Sequence, residues 1–242
     1  MAAYESSVSV VSHAPKIASD EMVLTIPGFL AGRCSMRRID DALCEMGYQT
    51  RHWNYASLRG SIVDHAARLS RDLCELAEST KIRRIHFVTH SMGSVIARAA
   101  IHDSRLETRF HHKCGRIVML APPNAGSRLT RIPLGPFAPF FPQLIELSET
   151  PASYVRCLPP FQHISVGVIA AERDFVVNPD ATHLSGERDH VTLPTTHQGL
   201  LADPDAIEMA IRFLKSERLE SAPTTIPFPR VAQRRSVHSA AA

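Results

Sequence analysis

The chain has no long apolar run, no paired cysteines, no strong excess of charge and no internal repeat. Its hydrophobic stretches fall far short of the roughly 20 residues that cross a bilayer, so stable membrane insertion is not expected. The first 20 residues lack the basic segment and long apolar core of a secretory signal, and cytoplasmic residence is the expectation. The five cysteines (Cys34, Cys44, Cys74, Cys114 and Cys157) are odd in number, widely spaced and without a CxxC pair. That pattern argues against a disulfide framework and against a zinc module. Ligand-type residues adjoin in His111-His112-Lys113-Cys114, but neighbouring histidines on a helix-to-strand connection do not face one point. No second cluster has ligand spacing, so no metal is expected. A net charge of +3 is too small to argue for nucleic acid, and Arg230, Arg234 and Arg235 near the end read as solubilising.

What is present fits one α/β domain of ordinary composition, 44% hydrophobic and 21% charged over 242 residues. Residues 1–20 read as a poorly ordered lead-in, 21–220 as the domain, and 221–242, rich in Pro, Ser, Arg and Ala, as a disordered tail. Met22–Ile26 is an apolar run that breaks at Pro27-Gly28-Phe29, as a buried strand entering a loop does. Arg33–Met46 has helical spacing and ends at Gly47, and Tyr48–Tyr55 reads as a strand. Ser61 is placed to cap a helix whose apolar face is Ile62, Ala66, Leu69, Leu73 and Leu76. Further strands are expected over Arg116–Ala121, His163–Ala170 and His190–Leu193, with a last helix over Ala206–Leu214. Strands alternating with helices of this length imply a mostly parallel sheet covered on both faces. The long segment 122–160, rich in proline and carrying Phe137, Phe140, Phe141, Leu144, Ile145 and Leu147, is expected to form a small cap over a site. A plain surface insertion is the alternative.

The stretch 84–98 organises the rest. Ile85–Thr89 has the β-branched and bulky residues of a short buried strand, and Val95, Ile96, Ala99 and Ala100 have helical spacing. Between them Thr89-His90-Ser91-Met92-Gly93 puts a serine on the turn from strand to helix. A turn this tight demands small residues two places either side and holds the hydroxyl at the helix's positive end.

This stretch resembles the nucleophile elbow of the lipase- and esterase-like α/β-hydrolases, in which His-Ser-Met-Gly is a common form. Thr89 stands where Gly or Ala is usual, and Ser94 where a second Gly often follows; some lipases of this kind do carry Thr. Ala121-Pro122-Pro123-Asn124-Ala125-Gly126-Ser127 resembles the Thr-Pro-His-x-Gly-Ser stretch of many lipases. The resemblance spans about residues 22–214 and implies an α/β-hydrolase fold, with chain order serine, acid, histidine. His197, in Thr196-His197-Gln198-Gly199-Leu200-Leu201 after a short final strand, is similar to the family's C-terminal histidine motif. It is favoured as base over His190, within the strand, and over His90, beside the serine. Asp174, in Glu172-Arg173-Asp174-Phe175-Val176-Val177, is similar to the family's acid and is favoured over Asp180 and Glu172. The implied oxyanion donors are the backbone N–H of Met92 and of Phe29, the latter in a loop where Pro27 replaces the family's His.

The resulting expectation is a serine ester hydrolase acting on an uncharged, partly hydrophobic small-molecule ester, which includes lipids, with no cofactor and no nucleic-acid partner. The alternatives are an acyltransferase with the same three residues, or a catalytically silent scaffold of the same fold that binds a ligand or partner.

Overall fold

The computed structural model describes residues 20–32, 34–103, 108–133, 135 and 141–220. The expected lead-in, except at residue 20, and the expected tail lie outside this set, and so do Phe137 and Phe140.

Six strands form one sheet: β1 (Glu21–Ile26), β2 (Gln49–His52), β3 (Arg84–His90), β4 (Cys114–Leu120), β5 (Val166–Arg173) and β6 (Asp189–Thr196). Their order is β2-β1-β3-β4-β5-β6, and every pairing is parallel. Parallel neighbours require crossovers, which helices supply. These include α1 (Arg37–Glu45), α2 (Ile62–Glu78), α3 (Met92–Ile101) and α4 (Thr108–Lys113). Two short helices, α5 (Pro142–Glu146) and α6 (Tyr154–Cys157), lie between β4 and β5, and α7 (Pro204–Ser216) follows β6.

The two-residue period of the strands divides the core in two. Leu24, Ile26, Ile85, Phe87, Ile117 and Met119 face α2 and α3, packing on Leu69, Leu73, Val95 and Ile96. Val23, Val88, Val118, Leu120 and Ile169 face the other way, onto Met36, Ile39 and Leu43 of α1 and Ala206, Ala210 and Phe213 of α7. Because both faces are covered, the inner strands β1, β3, β4 and β5 are largely apolar and buried, unlike the edge strands β2 and β6.

Local chemistry sets several boundaries. Ser61 caps α2 as expected. Its Oγ accepts the Asp64 N–H at 3.0 Å and the Asp64 carboxylate accepts the Ser61 N–H at 2.8 Å, a reciprocal box that stabilises the helix start by about 1 kcal/mol. Gly47, at φ +92°, follows α1. Other expectations shift. The first helix begins at Arg37 rather than Arg33, and β2 stops at His52 rather than Tyr55. Tyr55 leaves the sheet because its hydroxyl donates to Pro27 O at 2.9 Å. The fifth strand starts at Val166, three residues late, since His163 takes φ +62°, which no strand residue adopts. The sixth runs on to Thr196 through Pro194. Among the described strands it lies at the sheet's edge, where a missing N–H costs least. His111–Lys113 belongs to a short helix rather than a connection.

The segment 122–160 is partly described, and its described residues fasten to two loops. Within it Ser127 N donates to Leu147 O at 2.9 Å; outward, Arg128 N donates to Val176 O at 2.9 Å and Ala125 N to Ala181 O at 2.8 Å. At the other end, buried Gln143 donates through Nε2 to Ser57 O (3.1 Å) and Gly60 O, and Glu146 accepts the Ile62 N–H at 2.6 Å. Arg98, buried on α3, donates to Pro159 O at 2.9 Å and to Leu158 O, and burial lowers its pKa to about 10.

Candidate active site

The residues singled out in the sequence leave the sheet at one end. Phe29 follows β1, Ser91 follows β3, Asp174 follows β5 and His197 follows β6. In a parallel sheet the carboxyl ends of the strands share one edge, so four loops distant in sequence converge there.

Ser91 sits between β3 and α3 at φ 51°, ψ −126°, a left-handed φ that is rare for a residue with a side chain. The turn is sustained by close packing. A Cβ at Gly93 would stand 2.4 Å from Pro27 O and 2.6 Å from Ile26 O, so the first turn of α3 rests directly on the end of β1. A Cβ at Gly28 would meet His90 Nδ1 at 2.9 Å and Ser91 Cβ at 3.0 Å. The loop bearing Phe29 therefore lies against the serine. The two departures from the usual elbow are partners: Thr89 Oγ1 and Ser94 Oγ, both fully buried, lie 2.8 Å apart, and Thr89 also donates weakly to Val118 O at 3.3 Å. A hydroxyl pair occupies the space that glycine leaves empty elsewhere.

His197 and Asp174 are joined. Nδ1 of His197 lies 2.6 Å from Asp174 Oδ2, with both residues buried. The other carboxylate oxygen, Oδ1, accepts the N–H groups of Val176 and Val177 at 2.8 Å each. With Oδ1 so occupied, Oδ2 accepts the proton on Nδ1, which leaves Nε2 as the lone-pair nitrogen. The strand and loop that carry Asp174 are fixed from outside: Ser127 Oγ donates to Val176 O at 2.9 Å, Arg128 Nη1 to Asp174 O at 3.2 Å, and Asn124 Nδ2 to Thr182 O at 2.7 Å. The stretch Pro122–Ser127 thus braces the aspartate loop, a role that local sequence carries no sign of.

His90 connects the two parts. Its Nε2 donates to His197 O at 3.0 Å and the two rings lie 4.7 Å apart. Burial, followed by the nearby His197, pulls the pKa of His90 down to about 3, so it stays neutral. Among the described residues no hydrogen bond joins Ser91 to His197. Such contacts commonly tighten only when a substrate is bound.

No backbone acceptor takes the N–H of Phe29 or of Met92 among the described residues. The Phe29 loop is held by the Leu30 N–H, which donates to Ser57 Oγ at 3.1 Å, and by Leu30 itself at φ 55°. Exposed apolar side chains stand beyond the same strand ends: Leu30, Leu58 and Ile132 on connections and Ile145 on α5, with Phe175 beside Asp174 at 85% exposure. Asp180 lies in a 3-10 turn (Pro179–Thr182) and Glu172 is exposed near the end of β5; neither bonds an imidazole. His190 lies in β6 and is bonded to Thr182 instead. His183, Glu187 and His190 are the one group of metal-ligand type among the described residues, and none of the three touches Ser91, Asp174 or His197.

A family described as an alpha/beta hydrolase of unknown function (DUF900) matches residues 47–125, a span that holds Ser91 but neither Asp174 nor His197. A search of curated proteins finds no significant match. Solved structures are similar in shape. The mature lipase BlEst2 of Bacillus licheniformis is 13% identical with a TM-score of 0.60, over 84% of this chain and 95% of its own. The phospholipase PlaB of Legionella pneumophila is 13% identical with a TM-score of 0.66, over 82% of this chain and 61% of its own. Lipase B of Aspergillus fumigatus is 14% identical with a TM-score of 0.65, over 82% and 53%. This chain therefore spans only part of the last two. With the six-stranded parallel sheet, these likenesses give the chain the α/β-hydrolase fold.

Proposed function

We propose that this α/β-hydrolase fold serves a serine ester hydrolase, with Ser91 as nucleophile, His197 as general base and Asp174 as the group that orients the base. The observation that carries the reading is the buried 2.6 Å contact between His197 and Asp174, next to a serine held on a strained strand-to-helix turn. A serine hydroxyl is a poor nucleophile until a neighbouring base takes its proton. Here Asp174 fixes Nδ1–H, so Nε2 is free to take it.

In this reading Ser91 Oγ attacks the ester carbonyl as its proton passes to His197 Nε2, and the carbonyl oxygen gains the negative charge. The N–H groups of Phe29 and Met92, for which no backbone acceptor stands among the described residues, receive that oxygen. The tetrahedral centre collapses, the alcohol leaves with the proton from His197, and the acyl group stays on Ser91. Water then attacks, giving its proton to His197, and the acid is released as the proton returns to Ser91. Every step is proton transfer or acyl transfer and uses only these side chains. The apolar residues around the strand ends, Phe175 foremost, support an uncharged ester with a hydrophobic acyl chain.

Labelling with a fluorophosphonate, mapped by peptide mass spectrometry, tests the nucleophile, and p-nitrophenyl esters of increasing chain length test the acyl preference. The label is expected on Ser91, with ester turnover lost on labelling and in Ser91→Ala. A folded protein that takes no label at Ser91 would leave the silent scaffold as the reading. Faster release of product on adding an alcohol, with ester formed from it, would assign acyl transfer.

A further inference from the structure

We propose that His183, Glu187 and His190 form a binding site for a divalent transition-metal ion of the zinc type, separate from the Ser91 site. One ligand atom from each of the three lies within 4.8 Å of the other two. Two imidazoles and one carboxylate suit zinc, cobalt or nickel, whereas calcium and magnesium prefer sites made wholly of oxygen.

The surroundings prepare the donors. Thr182 Oγ1 donates its only proton to Pro179 O at 2.6 Å, so at 2.8 Å from His190 Nε2 the same oxygen accepts. His190 therefore carries its proton on Nε2 and keeps a lone pair on Nδ1. A metal-binding histidine usually has its second nitrogen held in this way. Glu187 is half fixed as well: Oε2 accepts the Leu184 N–H at 2.8 Å, and Oε1 faces His183 Nδ1 at 2.6 Å. An ion would take the place of that last contact.

The rings of His183 and His190 are stacked, 3.8 Å apart and 18° from parallel, so their in-plane lone pairs do not yet converge. His183 is 56% exposed and has room to turn. His190 is anchored in β6, opposite Val168 of β5, and supplies the rigid side of the site. Three protein ligands leave at least one position for water. The ion would tie residues 183–187 to β6, the strand that leads to His197.

The test uses the full chain after treatment with a chelator. Zinc binding is followed by calorimetry, cobalt binding by its visible absorption, and stability by thermal unfolding. The expected result is one zinc ion per chain at micromolar affinity or tighter, and a rise in Tm of several degrees under saturating zinc. His183→Ala and Glu187→Gln should each weaken binding about tenfold or more with unchanged circular dichroism, since both groups sit on a surface loop. The double variant His111→Ala/His112→Ala should bind as the parent does. Zinc affinity unchanged in both His183→Ala and Glu187→Gln, or no saturation by millimolar zinc, would overturn the proposal.

Discussion

Replacing Asp174 by Asn exchanges one carboxylate oxygen for an NH2 group and, by the proposed mechanism, should remove nearly all ester turnover. The size of the loss follows from the bonding at the carboxylate. Oδ1 accepts two N–H groups, from Val176 and Val177 at 2.8 Å each, so the amide oxygen of Asn must remain there. Its NH2 then points at His197 Nδ1, 2.6 Å from where Oδ2 was. An NH2 only donates, so Nδ1 must become the lone-pair nitrogen and the ring proton moves to Nε2. The imidazole can then no longer accept the proton of Ser91. A wrong tautomer in a triad of this kind costs about 10⁴ in kcat, or roughly 5 to 6 kcal/mol of barrier. The fold should persist, because the amide has the shape of the carboxylate and keeps both bonds at Oδ1. The assay is kcat on p-nitrophenyl butyrate, with the rate of fluorophosphonate labelling as a second readout and circular dichroism as a check on folding. An Asn variant that keeps more than about a tenth of the parental kcat would refute the role given to Asp174.

Three further outcomes are expected. Gly93→Ala places a methyl group 2.4 Å from Pro27 O, with backbone on both sides, and should lower the unfolding free energy by at least ~2 kcal/mol in urea titrations. Thr89→Ala and Ser94→Ala remove the two ends of one buried 2.8 Å contact: the first strands the Ser94 hydroxyl and the second leaves Thr89 only its weak bond to Val118 O, so the double variant should cost less than the sum by ~0.5 kcal/mol or more in a denaturation cycle. Stability should fall on acidification. His90 has a folded pKa near 3 against an ordinary 6.5, so between those values the unfolded chain binds a proton that the folded chain refuses. That group alone removes up to ~1.4 kcal/mol for each pH unit below 6.5. His65, His86, His102 and His190 are shifted down by burial in the same sense, while Asp40 and Glu146, shifted up by burial, oppose it. A urea midpoint unchanged between pH 7 and pH 5 would contradict a neutral, buried His90.

The fold was legible because a sheet covered on both faces writes itself as apolar runs. Met22–Ile26, Ile85–Thr89 and Arg116–Ala121 all fall on strands within two residues of their ends. Ser61 announced a helix start through its own hydroxyl, and the structure has the matching box with Asp64. What escaped depended on partners distant in sequence. Pro194 ends a strand on local grounds, yet β6 continues through it beside β5. Thr89 and Ser94 looked like two unrelated departures from a pattern until their contact joined them. Asp174 was set above Asp180 by its resemblance to the family's acid loop, but its 2.6 Å contact with His197 is something only the folded chain defines. The grouping of His183, Glu187 and His190 was missed for a related reason: a loop and a strand must meet before the three come within reach of one another.

The bond from His90 Nε2 to His197 O joins two parts of the chain that lie far apart in sequence. The half before β4 carries Ser91 and the Phe29 loop on β1 and β3, locked together where Gly93 meets Pro27; the half after β4 carries Asp174 and His197 on β5 and β6. Through that bond and the adjoining rings, a change in the loop after β6 reaches His90 beside the serine turn. The matched span 47–125 holds the serine turn and ends before β5, so likeness there speaks for the turn and not for residues 174 and 197.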